Sequence, residues 1–538
     1  MAWWILGRCV WLLQRGSRFA FFLLRCIARS LLRHFRRSST TFGSARFASR
    51  RDLRRGGHLK GTGLILAKFG SKLLRYNQPE GSVIVFAPQG AGKGVGIVIP
   101  NLLDYRGSVI CTDPKGENYA VTARRRAQFG PVWRLNLADP AASHSFNPLD
   151  IIIPGAPSAL DDAKVLADLM LPHDKHEEGH WRRRAHDVLT GFLLYVAEAY
   201  AKAPPLRTLA ELHRLLCAPR AALEATLQTM QGSPTPKVRE VAGQLLRTLD
   251  VEETSNILSN VLKGTEPWSA GGAAAAVSAW SDFDLKGLYT SPQSLFLIVP
   301  EELLRVYAGF LRVMVGLSMN AVFRAGRVSR PPSHRPLFLL DECAALGYLE
   351  PLEKGMGYLR AYGRAILIFQ DIHQLESIYS RARSIIANSA VRVAFAVNDD
   401  ATAKMLSEQL GQTTVTSRSI GISQASDALI RHNAQAGFAE AGRPLLDPSE
   451  ILRLPRDRVL VFITGSSRSA ILATRLVYFR ERYFRGLWDT WRGAASHPVR
   501  PGSAAAAPGT VLSVPQTGVP APAALIPPVS PTLPAARP

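Results

Sequence analysis

Two short stretches of this chain hold residues whose types and spacing could grip and cleave a phosphoanhydride. The first is Ala87-Pro88-Gln89-Gly90-Ala91-Gly92-Lys93-Gly94, set between the apolar run SVIVFA (82–87) and the apolar helix start VGIVIPNLL. It nearly matches G-x-x-x-x-G-K-[ST], a loop whose glycines let backbone N–H groups turn inward around phosphates. The positive end of the following helix and the charge of Lys93 would add to that cradle. Two positions depart from the pattern. Ala87 replaces the first glycine, and Gly94 replaces the Ser or Thr whose hydroxyl normally touches Mg²⁺. Taken alone, the stretch could also be a glycine turn with no ligand.

The second stretch is RPLFLLDE (335–342), a buried-strand pattern ending in adjacent carboxylates. Beside a P-loop, Asp341 would hold Mg²⁺ through its water shell, and Glu342 would orient and deprotonate the attacking water. The pair of motifs predicts ATP hydrolysis with Mg²⁺. Gln370 ends the run AILIFQ (365–370), where it would sense the γ-phosphate or simply cap a strand. Arg360 and Arg364 precede that run, and either could reach a neighbouring subunit's γ-phosphate as an arginine finger, Arg360 being the favoured candidate. An arginine in such a connection is more often solvated or salt-bridged. His176-Glu177-Glu178-Gly179-His180 also matches the zinc-protease pattern H-E-x-x-H. Pro172 just upstream, the internal Gly179 and the charges of Lys175 and Glu178 argue instead for a polar turn entering a helix near Trp181.

These residues need a scaffold, and the apolar pattern supplies one. SVIVFA (82–87), SVICTD (108–113), PVWRLN (131–136), SLFLIV (294–299), PLFLLD (336–341), AILIFQ (365–370), VRVAFAV (391–397) and RVLVFIT (458–464) read as buried strands. Helical patterns separate most of them, which predicts an α/β fold: a P-loop NTPase with a RecA-like parallel sheet covered on both faces. Between about 160 and 285 the apolar spacing is three and four, so this block reads as an all-α insertion. The expected organisation is a basic membrane-associating segment (1–40), the first part of the nucleotide-binding domain (41–160), the all-α domain (161–285), the second part (286–493) and a tail (494–538). The tail carries eleven prolines and no acid, the composition of a disordered extension.

At 538 residues the chain is too long for one compact core. A composition of 47% hydrophobic and 20% charged residues is globular rather than disordered. The five cysteines are scattered without a C-x-x-C pair, which excludes a disulfide scaffold and favours a reducing compartment. The net charge is +23, and residues 1–60 hold fourteen Lys and Arg against the single acid Asp52. So uneven a charge predicts docking to an anionic surface, either nucleic acid or membrane. On a helix, Arg8, Arg15, Arg18, Arg25, Arg29, Arg33, Arg36 and Arg37 fall within an arc of roughly 120°, as in helices that lie in a membrane interface. Trp4, Trp11, Phe19 and Phe22 interrupt that arc. A basic helix on a partner protein is the alternative. No run reaches the eighteen apolar residues of a clean membrane span, and the arginines argue against a cleaved signal peptide.

The wording of several stretches narrows the reading further. FGSARFASRRDLRR (42–55), APQGAGKGVGIVIPNLL (87–103), TDPKGENYAVTA (112–123), FNPLD (146–150) and LLDECAALG (339–347) resemble type IV secretion coupling proteins, the TraG-type conjugative ATPases. So do YGRAILIFQDIHQLESIYS (362–380), IIANSAVRVAFAVNDDATAKMLSEQLG (385–411) and RVLVFITGSSRSAILATRLVYF (458–479). The resemblance runs in order from about residue 42 to 485, and GKGVG is itself common wording in that family. It implies a homo-hexameric ring, ATP hydrolysis at subunit interfaces, and recruitment of a relaxase–DNA complex or of secreted proteins to the type IV secretion channel. By matching motif, Lys93, Asp341, Glu342 and Gln370 inherit nucleotide-site roles, and Asp113 falls in a family box with a nucleotide or interface role. Typical members carry two N-terminal spanning helices, a pattern absent here. The expectation is association with the anionic inner membrane at its cytoplasmic face. A ring translocase for the cell's own DNA and a non-hydrolysing substrate receptor are the competing readings.

Overall fold

The computed structural model describes residues 40–171, 179–423, 433–466 and 470–491. The basic segment 1–38, residues 176–178 of the H-E-x-x-H stretch and the tail 494–538 lie outside the described residues.

Thirteen strands are described. In chain order they are β1 (Leu64–Phe69), β2 (Lys72–Tyr76), β3 (Val83–Phe86), β4 (Val109–Thr112), β5 (Val132–Asn136), β6 (Ser294–Ile298) and β7 (Leu337–Leu340). They continue with β8 (Arg364–Phe369), β9 (Val391–Phe395), β10 (Gln412–Ser423), β11 (Asn433–Pro444), β12 (Arg458–Ile463) and β13 (Ala470–Thr474). Eleven of them form one sheet in the order β2-β1-β13-β12-β9-β3-β8-β7-β4-β6-β5. From β9 to β5 every pairing is parallel. The strands β3, β4, β6, β7 and β8 are buried along their whole length, which is why they read as continuous apolar runs.

One expected member of the parallel set departs from expectation. β12 pairs antiparallel with β9, and β13, β1 and β2 continue the sheet antiparallel. The short connection of residues 464–469 accounts for the antiparallel pairing of β12 with β13. Strands joined by so few residues can only fold back on each other, since a parallel return needs a crossover of a dozen or more. β10 and β11 form a separate ribbon of twelve facing pairs, anchored near its base by a bridge from Ser44 to Thr413.

Successive residues of β3 point to opposite faces and so enter different cores. Ile84 and Phe86 join a cluster that includes Phe192, Leu227, Trp268 and Phe310. Val83 and Val85 join Ile97, Val98 and Leu102 of the segment that follows the glycine loop. Between β5 and β6 the described residues form helices and turns only, among them Ala159–Met170, Gly179–Ala199, Leu209–Leu216, Arg220–Gln231, Pro236–Thr248 and Glu252–Thr265. Their apolar faces share the first cluster with one face of the sheet.

The segment after the glycine loop opens with a π-type turn, Gly94–Val98, and continues as the α-helix Ile99–Asp104. Buried Asn101 ties it to the sheet. Its Oδ1 accepts from the Ile65 N–H at 2.9 Å, and its Nδ2 donates to the carbonyls of Ile65 and Ile97 at 2.8 and 2.7 Å. Each amide function is satisfied, as a buried side chain requires.

Candidate nucleotide site

The loop 87–94 leaves the C-terminal end of β3, and β8 lies between β3 and β7. This order brings the ends of three strands together: the glycine loop, Gln370 after β8, and Asp341-Glu342 after β7. Ligands of open parallel sheets bind at this edge. A cleft of about 460 Å³ opens there, lined by Gln89, Gly90, Lys93, Gly94, Asp113, Lys115, Glu117, Glu301, Asp341, Glu342 and Gln370 among others.

Within the loop the residues divide by role. Ala87 is buried, and its N–H donates to the Phe369 carbonyl at 2.9 Å, extending the β3–β8 pairing. The Pro88 carbonyl accepts from the Ala91 N–H at 3.2 Å, closing the turn. Gly90 and Gly92 have φ of 73° and 88°, a region that L side chains rarely adopt. Gly92 also leaves no room, because a Cβ there would stand 2.6 Å from Arg475 Nη1. Arg475, just past β13, donates through the same Nη1 to the Ala91 carbonyl at 3.0 Å.

Lys93 crosses the cleft. Its Nζ lies 3.0 Å from Asp341 Oδ1 and 3.1 Å from Glu342 Oε2. Burial works against its charge, but the two carboxylates more than offset this and hold its pKa above the ordinary lysine value. Asp341 is partly buried, with 13% of its side chain exposed. Burial pushes its pKa up, and Lys93 draws it only part of the way back. Oδ1 of Asp341 is itself buried, and its charge partner is Lys93 Nζ. Its backbone is fixed from the neighbouring strand, where Thr112 Oγ1 donates to the Asp341 carbonyl at 2.7 Å.

Glu342 has φ 61° and ψ 57°, a left-handed conformation that is uncommon for a residue with a side chain. Three donors hold its carboxylate in place. Gln370 Nε2 and Gln374 Nε2 both donate to Oε1 at 3.0 Å, and Lys93 Nζ donates to Oε2. Gln374 sits one turn into the helix Ile372–Ile378, and its Oε1 accepts from the Gln370 N–H at 2.8 Å.

Asp113 follows β4 into the same cleft with a buried side chain. Its two oxygens accept from the N–H groups of Asn118 and Tyr119 at 3.3 and 2.8 Å, at the start of the helix Glu117–Arg126. Burial outweighs these bonds and raises its pKa to about 7. Glu117, in the first turn of that helix, is also pushed up by burial. At the rim, Lys115 pairs with Glu301 at 3.4 Å.

The two arginines separate. Arg360 is 70% exposed, with its Nε 3.2 Å from Glu80, and does not line this cleft. Arg364 is buried at the start of β8, with its guanidinium over the Tyr76 ring. An inward arginine of a central strand cannot serve a neighbouring subunit, so Arg364 drops out as a finger. Gln374 and Arg475 are the residues the motifs do not reveal, although both fall in stretches whose wording carries the family resemblance.

Across this arrangement, a flexible glycine turn and a cation face two acids through a polar opening. That can bind a polyphosphate and place a carboxylate beside a water. Comparison with known proteins agrees in kind. The family described as Type IV secretory system Conjugative DNA transfer matches residues 46–499. The conjugal transfer protein TraG of Escherichia coli is 31% identical over 445 residues, covering 77% of this chain and 69% of that protein. Protein VirD4 of Agrobacterium fabrum is 29% identical over 476 residues, covering 85% and 69%. Among solved structures, the bacterial conjugative coupling protein TrwBΔN70 aligns with TM-score 0.57 and 17% identity over 80% of this chain and 92% of that one. The plasmid coupling protein TrwB in complex with ADP and Mg²⁺ aligns with TM-score 0.57 and 17% identity over 80% and 94%. This chain belongs to the type IV secretory system conjugative DNA transfer family.

Proposed function

We propose that this protein is the coupling ATPase of a conjugative type IV secretion system. It would recruit relaxase-bound DNA, secreted proteins or both, and drive them into the secretion channel. The observation that carries the reading is Lys93 spanning Asp341 and Glu342 across the cleft at 3.0 and 3.1 Å. A lysine so placed holds two carboxylates together until a triphosphate competes for its charge.

In this reading Gly90, Gly92 and the backbone of 88–94 wrap the phosphates, and Lys93 transfers its charge from the carboxylates to the β- and γ-phosphates. Asp341, a carboxylate lining the cleft beside Lys93, suits the water shell of Mg²⁺. Bound Mg²⁺ supplies neutralisation of charge building on the phosphate oxygens. Glu342 orients the attacking water and takes its proton. Gln370 holds Glu342 from the neighbouring strand, within reach of the same opening. Asp113 lines the cleft and fixes the start of the helix Glu117–Arg126. Arg360, exposed and paired with Glu80 at the surface, can serve a neighbouring subunit of a homo-hexamer. The basic segment 1–38 docks on the anionic inner membrane at its cytoplasmic face.

Plasmid transfer from donor cells lacking the gene tests the reading. Transfer should fall to background, return with the wild-type gene, and stay at background with Lys93→Ala. Normal transfer by the deletion strain, combined with a defect in segregating its own chromosome, would favour a translocase for the cell's DNA.

A further inference from the structure

We propose that Gln374 is a positioning residue for hydrolysis, holding Oε1 of Glu342 so that Oε2 is the oxygen that receives the water's proton. This rests on the ATPase reading above and deepens it.

The two oxygens of Glu342 are in different situations. Oε1 accepts from two amides, Gln370 Nε2 and Gln374 Nε2, each at 3.0 Å. Among the described residues, the hydrogen-bond donor to Oε2 is Lys93 Nζ alone, at 3.1 Å. The amides belong to neutral side chains with no competing charge to follow. Lys93 is the group that a triphosphate recruits. When Lys93 leaves, Oε1 stays doubly held and Oε2 is bare. Oε2 then has its lone pairs open to a water O–H, while Oε1 is already taken by two donors.

Gln374 is built to do this. Its Oε1 accepts from the Gln370 N–H at 2.8 Å, so one side chain locks the turn after β8 and the carboxylate of Glu342 together. Its own helix is fixed at both sides. Asp371 caps it through the Gln374 N–H at 2.7 Å, Thr402 Oγ1 accepts from the Ile372 N–H at 3.0 Å, and Leu375 is fully buried. The left-handed backbone of Glu342 points the carboxylate at these partners, and strain of that kind persists only where the surroundings hold it.

Two substitutions separate donation from support of the turn. Gln374→Glu keeps an oxygen for the Gln370 N–H and loses the donor to Glu342. Gln374→Lys keeps a donor and loses that acceptor. The expected result is that Gln374→Glu lowers kcat for ATP by ~10-fold or more with KM within about twofold of wild type, while Gln374→Lys retains the greater share of kcat. A second readout needs no turnover. In the nucleotide-free protein, carbodiimide labelling of Glu342, followed by mass spectrometry, should be faster in Gln374→Glu than in wild type or Gln374→Lys. Wild-type kcat in Gln374→Glu, or a Gln374→Lys enzyme slower than Gln374→Glu, overturns the proposal. So does unchanged labelling. Absence of ATP turnover in the wild type itself would instead overturn the ATPase reading.

Discussion

Arg475 Nη1 donates to the carbonyl of Ala91 at 3.0 Å, tying an antiparallel strand near the sheet's edge to the centre of the phosphate loop. The loop is therefore braced from a part of the chain almost four hundred residues away. The same guanidinium fills the space where any side chain at position 92 would go. Arg475→Ala should weaken nucleotide binding by about tenfold, the cost of one charge-assisted hydrogen bond. Arg475→Lys should recover part of the loss. Titration with a fluorescent ATP analogue checks both. Gly92→Ala should be at least as damaging, because it adds positive-φ strain to the clash with Arg475.

Gly94 stands where the P-loop pattern has a hydroxyl for Mg²⁺. A Cβ at this position would meet nothing within 4 Å, and the backbone there is not left-handed. Gly94→Ser should fold normally and support half-maximal ATPase activity at a Mg²⁺ concentration lower by about threefold to tenfold, the effect of one added oxygen ligand near ~1 kcal/mol. Magnesium titration of the ATPase rate measures it. A higher Mg²⁺ requirement would show that position 94 does not face the metal.

The pH dependence of stability follows from Asp113. Its pKa rises from an ordinary 3.8 to about 7 on folding because of burial. An acid that binds its proton more tightly when folded favours the fold below its unfolded pKa, and that contribution is lost as pH rises through the folded value. Asp341, also raised, acts in the same direction. The nucleotide-free protein should lose thermal stability from about pH 4 to about pH 7, the window between those two values, and change little from this source above it. Asp113→Asn should flatten that fall without abolishing it. Melting curves across the range decide the matter; a slope identical to wild type would show that Asp113 does not titrate there.

How much of this was legible in the sequence depended on how local each signal is. Lys93 in its glycine loop, and Asp341-Glu342 at the end of an apolar run, are short patterns whose chemistry is carried by neighbours in the chain. The strands β3, β4, β6, β7 and β8 were readable because full burial demands continuous apolar residues. Gln374 and Arg475 carry no such signature, since each matters through a contact with a residue distant in sequence or on another element. Burial of Arg364 was equally hidden, because a cation at a strand start looks solvated until the sheet order is known. The antiparallel direction of β12 was not legible, because an apolar run does not show which way its strand lies beside β9. The ribbon of β10 and β11 is rich in Thr, Ser, Ala and Gly, without a run of large apolar residues to mark it.

The membrane expectation rests on the arginine-rich first 38 residues. Among the described residues no helix is long and apolar enough to cross a membrane. If the basic segment is the anchor, deleting residues 2–38 should move the protein from the membrane to the soluble fraction, and high salt should release part of the full-length chain by screening contacts with lipid phosphates. Fractionation followed by immunoblotting reads both outcomes. Unchanged membrane association after the deletion would place the docking surface elsewhere.

ATP turnover by purified wild type and Glu342→Gln, in the presence of DNA and Mg²⁺ and alongside nucleotide affinity, tests the central claim most directly. The replacement keeps the length and polarity of the side chain and removes only its ability to take a proton. Wild type should hydrolyse ATP, while Glu342→Gln binds nucleotide with affinity within about threefold and turns over ~100-fold or more slowly, in line with the usual weight of a general base. Equal turnover by the two proteins would contradict the account.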